Sequence, residues 1–218
     1  DKQPTGRSVE ACLQGVCHTL TVTGALGKSQ IFAPAAALAL SHALGLTLDK
    51  SLKGLGEYVP PAGRGRILAG VNNSLLIDDT YNASPAAVEE ILNSLPVINA
   101  RRKVVVLGDM LELGRYSVEQ HQRIGELASK SADVVVSVGV RARAIAEQAR
   151  TAGAKEVFEY PDSKTAGEAL GAVLKEGDVV LIKGSQSIRM ERVVEMLLAD
   201  KADTAKLVRQ EKEWLAVS

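Results

Sequence analysis

Lys103-Val104-Val105-Val106-Leu107-Gly108-Asp109-Met110-Leu111-Glu112-Leu113-Gly114 decides how this chain folds. Four successive branched apolar residues, with no polar position between them, suit a strand covered on both faces. Gly108-Asp109 then stops the strand and opens a turn. In open α/β sheets ligands collect at the carboxyl ends of the strands, so Asp109 becomes a site candidate. Asp109 and Glu112 also stand where they would cap the following helix, and this segment alone leaves both readings open.

Outward from that strand the pattern repeats. Short β-branched runs at 74–77, 133–138, 156–159 and 178–182 read as further buried strands. Helical spacing occupies the intervals 85–95, 117–129, 141–151 and 162–175, the first with Ser84 as N-cap and Pro85 at the first helical position. Strands joined through helices need crossover connections, which predicts a Rossmann-like α/β domain with a mostly parallel sheet and helices on both faces. An amphipathic helix over 187–200 and a short one over 207–216, with Trp214 packed on the domain, complete this part.

The first sixty residues differ. A strand over 18–23, an alanine-rich helix over 31–44 stopped by Gly45, and a short helix capped by Asp49 lead into Tyr58-Val59-Pro60-Pro61-Ala62-Gly63, a linker by composition. We place the boundary there: residues 1–62 as part of a second α/β domain with its linker, 63–218 as the Rossmann-like domain. Some sixty residues make a poor independent core, so the first part is expected to be the end of a larger domain.

With 26 basic and 26 acidic residues among 218, the chain has no net charge to favour a nucleic acid or an anionic membrane. No stretch approaches the roughly twenty apolar residues of a membrane span, and the first residues lack a signal-peptide pattern, which points to the cytoplasm. Cys12 and Cys17 have no Cys/His partner set of the kind zinc needs, and His18 beside them reads as incidental.

Three strand ends carry polar groups. Asp78-Asp79-Thr80-Tyr81-Asn82-Ala83-Ser84-Pro85 follows one strand, Asp109 another, and Lys183-Gly184-Ser185-Gln186-Ser187 the last. Asp79 suits a ribose or a metal-bound water, Lys183 a phosphate or carboxylate, and Ser185 a hydrogen bond, with glycine and hydroxyls forming an anion-binding nest. Local caps and surface ion pairs are the alternative for each taken singly. In Gly63-Arg64-Gly65-Arg66 a guanidinium follows the linker, placed either to fork onto phosphate across a cleft or to remain a solvated turn. Gly24-Ala25-Leu26-Gly27-Lys28-Ser29 ends like a P-loop but has Val22 where the first glycine belongs, so it is not one. No Gly-x-Gly-x-x-Gly follows a strand, which argues against a dinucleotide oxidoreductase.

These three motifs, in this order and spacing, resemble the Mur ligases, and within them the type that joins D-alanyl-D-alanine to UDP-N-acetylmuramoyl-tripeptide. The resemblance runs from about residue 20 to the end of the chain. It implies ATP-dependent amide formation through an acyl phosphate, a cytoplasmic monomer, and three domains of which this chain represents the end of the second and the whole third. By resemblance Arg64 contacts nucleotide phosphates and Asp79 the ribose. As our own assignment rather than a carry-over, Tyr81, Asn82 and Gln30 join them on the nucleotide side, and Asp109, Met110, Lys183 and Ser185 line the substrate side. Family members usually show Gly-Arg-His-Asn and a second asparagine where this chain has Gly27-Lys28-Ser29-Gln30-Ile31-Phe32-Ala33, so either Gln30 replaces the adenine-side group or that contact is lost. The family's P-loop, magnesium-binding glutamate and modified lysine have no counterpart here. ATP and Mg2+ are therefore expected to be held mainly elsewhere, and the chain alone to be inactive. Asp79 and Arg64 are expected to be exposed at the cleft, so that alanine at either position spares the fold. A folylpolyglutamate or cyanophycin type of ligase, and a non-catalytic nucleotide- or peptide-binding module, are the competing readings.

Overall fold

The computed structural model describes residues 4–13 and 15–215. A hairpin of β1 (Gly6–Leu13) and β2 (Val16–Thr23) comes first, followed by α1 (Ser29–Ala43) and α2 (Leu48–Gly56). Thr47, not Asp49, is the N-cap residue of α2, and Asp49 sits in its first turn, where a carboxylate favours the positive end of the helix. Cys12 and Cys17 face each other across the hairpin and form a disulfide, a pairing that the sequence reading did not foresee.

After the linker the chain alternates: β3 (Arg66–Ala69), β4 (Leu75–Asp79), α3 (Pro85–Leu92), β5 (Lys103–Gly108), α4 (Ser117–Ser131), β6 (Val134–Val138), α5 (Arg143–Thr151), β7 (Glu156–Tyr160), α6 (Ser163–Val173) and β8 (Val179–Lys183). Among the described residues these strands make one six-stranded sheet, ordered β3-β4-β8-β5-β6-β7. All neighbours are parallel except β3, which pairs antiparallel with β4 through the turn at Asn72 and Asn73. Both asparagines are left-handed, a conformation that asparagine tolerates better than most residues.

Alternate side chains along each strand go to opposite faces, building two cores. Ile77, Val105, Leu107, Val135 and Leu181 pack with α3, α4 and α5; Leu76, Val104, Val106, Val136 and Ile182 pack with α6 and with α7 (Glu191–Leu197). Helix α7 is shorter than the helix expected over 187–200. Residues 186–188 form a separate single turn, Arg189 is left-handed, and after Leu197 the chain joins the sheet edge, with Ala199 N–H donating to Ala69 O at 3.0 Å. The last helix, α8 (Lys212–Leu215), is likewise shorter than expected, and position 216 lies outside the described residues. Among the described residues no helix is long and apolar enough to cross a membrane.

Candidate functional site

The sheet order puts β4, β8 and β5 side by side, so the three polar strand ends meet. Asp79 and Lys183 are register partners, and Lys183 is also the partner of Leu107, two residues before Asp109. Lys183 Nζ lies 2.6 Å from Asp79 Oδ2 and donates to Asn82 O at 2.9 Å. This ammonium is almost fully buried, so removing its carboxylate would strand a charge away from water. Asp79 itself is half-buried and ion-paired rather than freely exposed, which corrects the expectation from the sequence.

Gly63 and Gly65 explain how Arg64 is presented. Both have positive φ; a Cβ on Gly65 would stand 2.2 Å from Leu26 O, and one on Gly63 2.9 Å from Tyr81 N. Only glycine fits two such approaches in a left-handed turn, and Arg64 between them is thrust outward, its guanidinium 3.9 Å above the Tyr81 ring centroid. That stacking holds the planar guanidinium against the ring. Beneath it, Asp78 is completely buried and accepts from Gly63 N–H, Thr80 N–H and Thr80 Oγ1. Burial pushes its pKa up to about 6, against the pull of the Thr80 and Gly63 hydrogen bonds.

Two clefts open on this edge. The first, about 560 Å³, is lined by Gln30, Tyr58, Arg64, Asp79, Ser84, Glu90 and Lys183 among others. The second, about 470 Å³, is lined by Asn82, Ser84, Leu111, Glu112, Leu113, Ser185, Gln186, Ser187 and Trp214 with Ala83. Ser84, the N-cap of α3, belongs to both. The second cleft is held in shape by Ser185, whose hydroxyl accepts from Leu111 N–H at 2.9 Å and reaches Ala83 O at 3.3 Å, while its own N–H donates to Asp109 O. The loops come this close because Gly108 and Gly184 face each other: a Cβ on Gly184 would lie 3.2 Å from Gly108 Cα.

The expected site residues therefore divide. Gln30, Arg64, Asp79 and Lys183 line the first cleft, with Tyr81 stacked under Arg64; Asn82, expected beside the nucleotide, lines the second cleft with Ser185. Asp109 and Met110 reach neither. Asp109 is buried and its Oδ1 accepts from Ala142 N–H at 2.7 Å, ahead of α5, and the Met110 side chain is in the core. Glu90, which holds Lys28 N–H and Ser29 Oγ, and buried His121, whose Nε2 accepts from Met110 N–H at 3.0 Å, were not singled out from sequence. Glu90 lies mid-helix with no motif around it, and His121 acts from one turn into α4 on a loop eleven residues earlier.

With this geometry established, comparison with known proteins supplies the family. Residues 63–186 match the family model described as Mur ligase, glutamate ligase domain. The chain belongs to the Mur ligase family. Curated Mur ligases similar to it include the UDP-N-acetylmuramoyl-tripeptide--D-alanyl-D-alanine ligases of Escherichia coli K12, 35% identical over 88% of this chain and 44% of that protein, and of Treponema pallidum, 35% identical over 74% and 35%. Among solved structures, the MurF ligase of Thermotoga maritima in complex with ADP superposes with a TM-score of 0.75 at 30% identity, covering 88% of this chain and 43% of that one. A MurF from Acinetobacter baumannii gives 0.75 at 25% identity over 94% and 43%. The chain thus spans less than half the length of the curated Mur ligases it matches.

Proposed function

We propose that this chain is the C-terminal part of an ATP-dependent ligase that adds D-alanyl-D-alanine to UDP-N-acetylmuramoyl-tripeptide in peptidoglycan precursor synthesis, a cytoplasmic reaction. One observation carries the reading: two clefts meeting at Ser84, one offering Arg64 together with the Asp79–Lys183 pair, and a peptide-sized one with Ser185, Asn82 and Leu111. In this reading the first cleft receives the nucleotide. Arg64 forks onto its phosphates, Asp79 receives the ribose hydroxyls beside Lys183, and Gln30 and Tyr81 flank the base and sugar. The second cleft receives the dipeptide through Ser185, Asn82 and the loop after Asp109, with Asp109 and Met110 fixing that loop from inside.

The chemistry is the one that membership of the family implies, and the adjacency of the clefts suits it. The tripeptide carboxylate displaces ADP from the γ-phosphate, forming an acyl phosphate. The dipeptide amine then attacks the acyl carbon, a proton leaves the nitrogen, and phosphate departs from the tetrahedral intermediate. The cations near Ser84 would offset the charge that develops on the phosphoryl oxygens. Mg2+ does not fit the residues present: Asp79 is committed to Lys183, Glu90 holds the start of α1, and the group of possible ligands found among the described residues, Glu10, Cys12 and Cys17, has its sulfurs joined in a disulfide. We assign no magnesium ligand to this chain.

Isothermal titration calorimetry of the 218-residue chain tests this. D-alanyl-D-alanine should bind with little or no heat from ATP-magnesium, since no phosphate-cradling P-loop is present. Absence of dipeptide binding, or ATP binding in its place, would overturn the assignment of the second cleft.

A further inference from the structure

The segment 206–214 lies beyond residue 186, where the match to the family model stops, yet it closes the second cleft. Arg66 Nη1 donates to Lys206 O at 3.2 Å, and Arg209 Nη2 donates to Thr80 O at 2.6 Å and Nη1 to Tyr81 O at 3.2 Å. The tail is thereby fastened to the loop that separates the two clefts. Glu191, buried at the start of α7, anchors both arginines behind the cleft: its Oε1 lies 2.5 Å from Arg189 Nε and its Oε2 2.7 Å from Arg209 Nη2. Arg189 in turn donates to Trp214 O at 2.8 Å, and the Arg189 and Arg209 guanidinium carbons lie 5.4 and 5.9 Å from the Trp214 ring centroid.

We propose that Trp214 is the size-determining wall of the second cleft, with Arg209 as the positioning residue that holds it there. The proposal rests on reading that cleft as the peptide side. Its lining combines polar residues, among them Ser84, Ser185, Asn82 and the acid Glu112, with Leu111, Leu113 and Trp214. The hydroxyls and amide suit the peptide backbone and carboxylate, and the apolar side takes the ligand's side chain. A ring fixed from behind by two buried cations cannot retreat as a free surface tryptophan would, so it admits a methyl group and refuses a larger substituent. An apolar pocket distinguishes each added methylene by about ten-fold or more.

Trp214 is the chain's single tryptophan, so its emission reports on this wall directly. The test titrates the wild type, W214A, W214F, R209A and R209K with D-alanyl-D-alanine and with D-alanyl-D-leucine, reading heat and, where the tryptophan remains, emission. The wild type should bind the smaller dipeptide at least about ten-fold more tightly, with a change in emission. W214A and R209A should bring the two affinities within about three-fold of each other, W214F should keep the preference, and R209K should fall between. Wild-type binding with no emission change, or an unaltered preference in W214A, would overturn the wall and leave the ligase reading standing. Failure of the wild type to bind either dipeptide would overturn both.

Discussion

Asp78 sets the strongest expectation at the scale of single residues. Its pKa is near 6 in the folded chain and lies about two units lower when unfolded, so between those values the folded state holds the extra proton. The stabilisation is complete below the unfolded value and is lost as pH rises through about 6. At about 1.4 kcal/mol per unit this amounts to about 3 kcal/mol. Urea unfolding of the wild type and D78N at pH 4 and pH 7 should therefore show the cost of the substitution shrinking by that order as pH rises. An equal cost at both pH values would show that Asp78 does not titrate in this range. Asp79 gives a second expectation. Because Lys183 is buried against it, D79A should destabilise the fold by about 3–5 kcal/mol, while removing both charges with D79L/K183M should cost less than D79A alone. A double-mutant cycle in urea measures this, and additive costs would deny the pairing.

At the scale of elements, His121 shows how a loop is shaped from a distance. It is fully buried, its Nε2 accepts from Met110 N–H, and its Nδ1 lies 2.7 Å from Ser117 O, an arrangement that fits a proton on Nδ1. H121L should leave Met110 N–H unpaired and lower stability by about 1–3 kcal/mol. Calorimetric melting checks this, and an unchanged Tm would mean that water or a repacked loop satisfies that group. The central strands were legible in the sequence because four or five branched residues in succession have few alternatives to a buried parallel strand. Strand β3 was missed for the opposite reason: Arg66–Ala69 has four residues, and its place at the edge depends on pairing with β4. The site was half legible. Residue type and spacing pointed Asp79, Lys183 and Ser185 to one edge and the family resemblance added Arg64, but nothing local revealed that Asp109 would turn inward to Ala142, or that Trp214 would return to the second cleft. Those placements depend on contacts between residues 25 to 74 apart in the chain.

At the scale of the whole molecule, more than the covalent linker joins the first sixty residues to the rest. Among the described residues there is a seam in which Leu26 N–H donates to Gly65 O, Ile67 N–H to Gly24 O and Lys28 N–H to Glu90, with Leu26 itself in the core against α3. Arg64 sits at this seam, so the orientation of its guanidinium depends on both sides. G65A should open the seam, since the added Cβ would overlap Leu26 O. Fluorescence-monitored melting should show a separate early transition for that variant and a single one for the wild type. A break in the covalent chain is a different matter. Val59 and Pro61 are exposed, so a protease can cut between the halves, and the cut product should nevertheless elute from gel filtration as one species. On that outcome an intact backbone at the linker is a convenience of synthesis, and what keeps the arginine at its post is the stitching beside it.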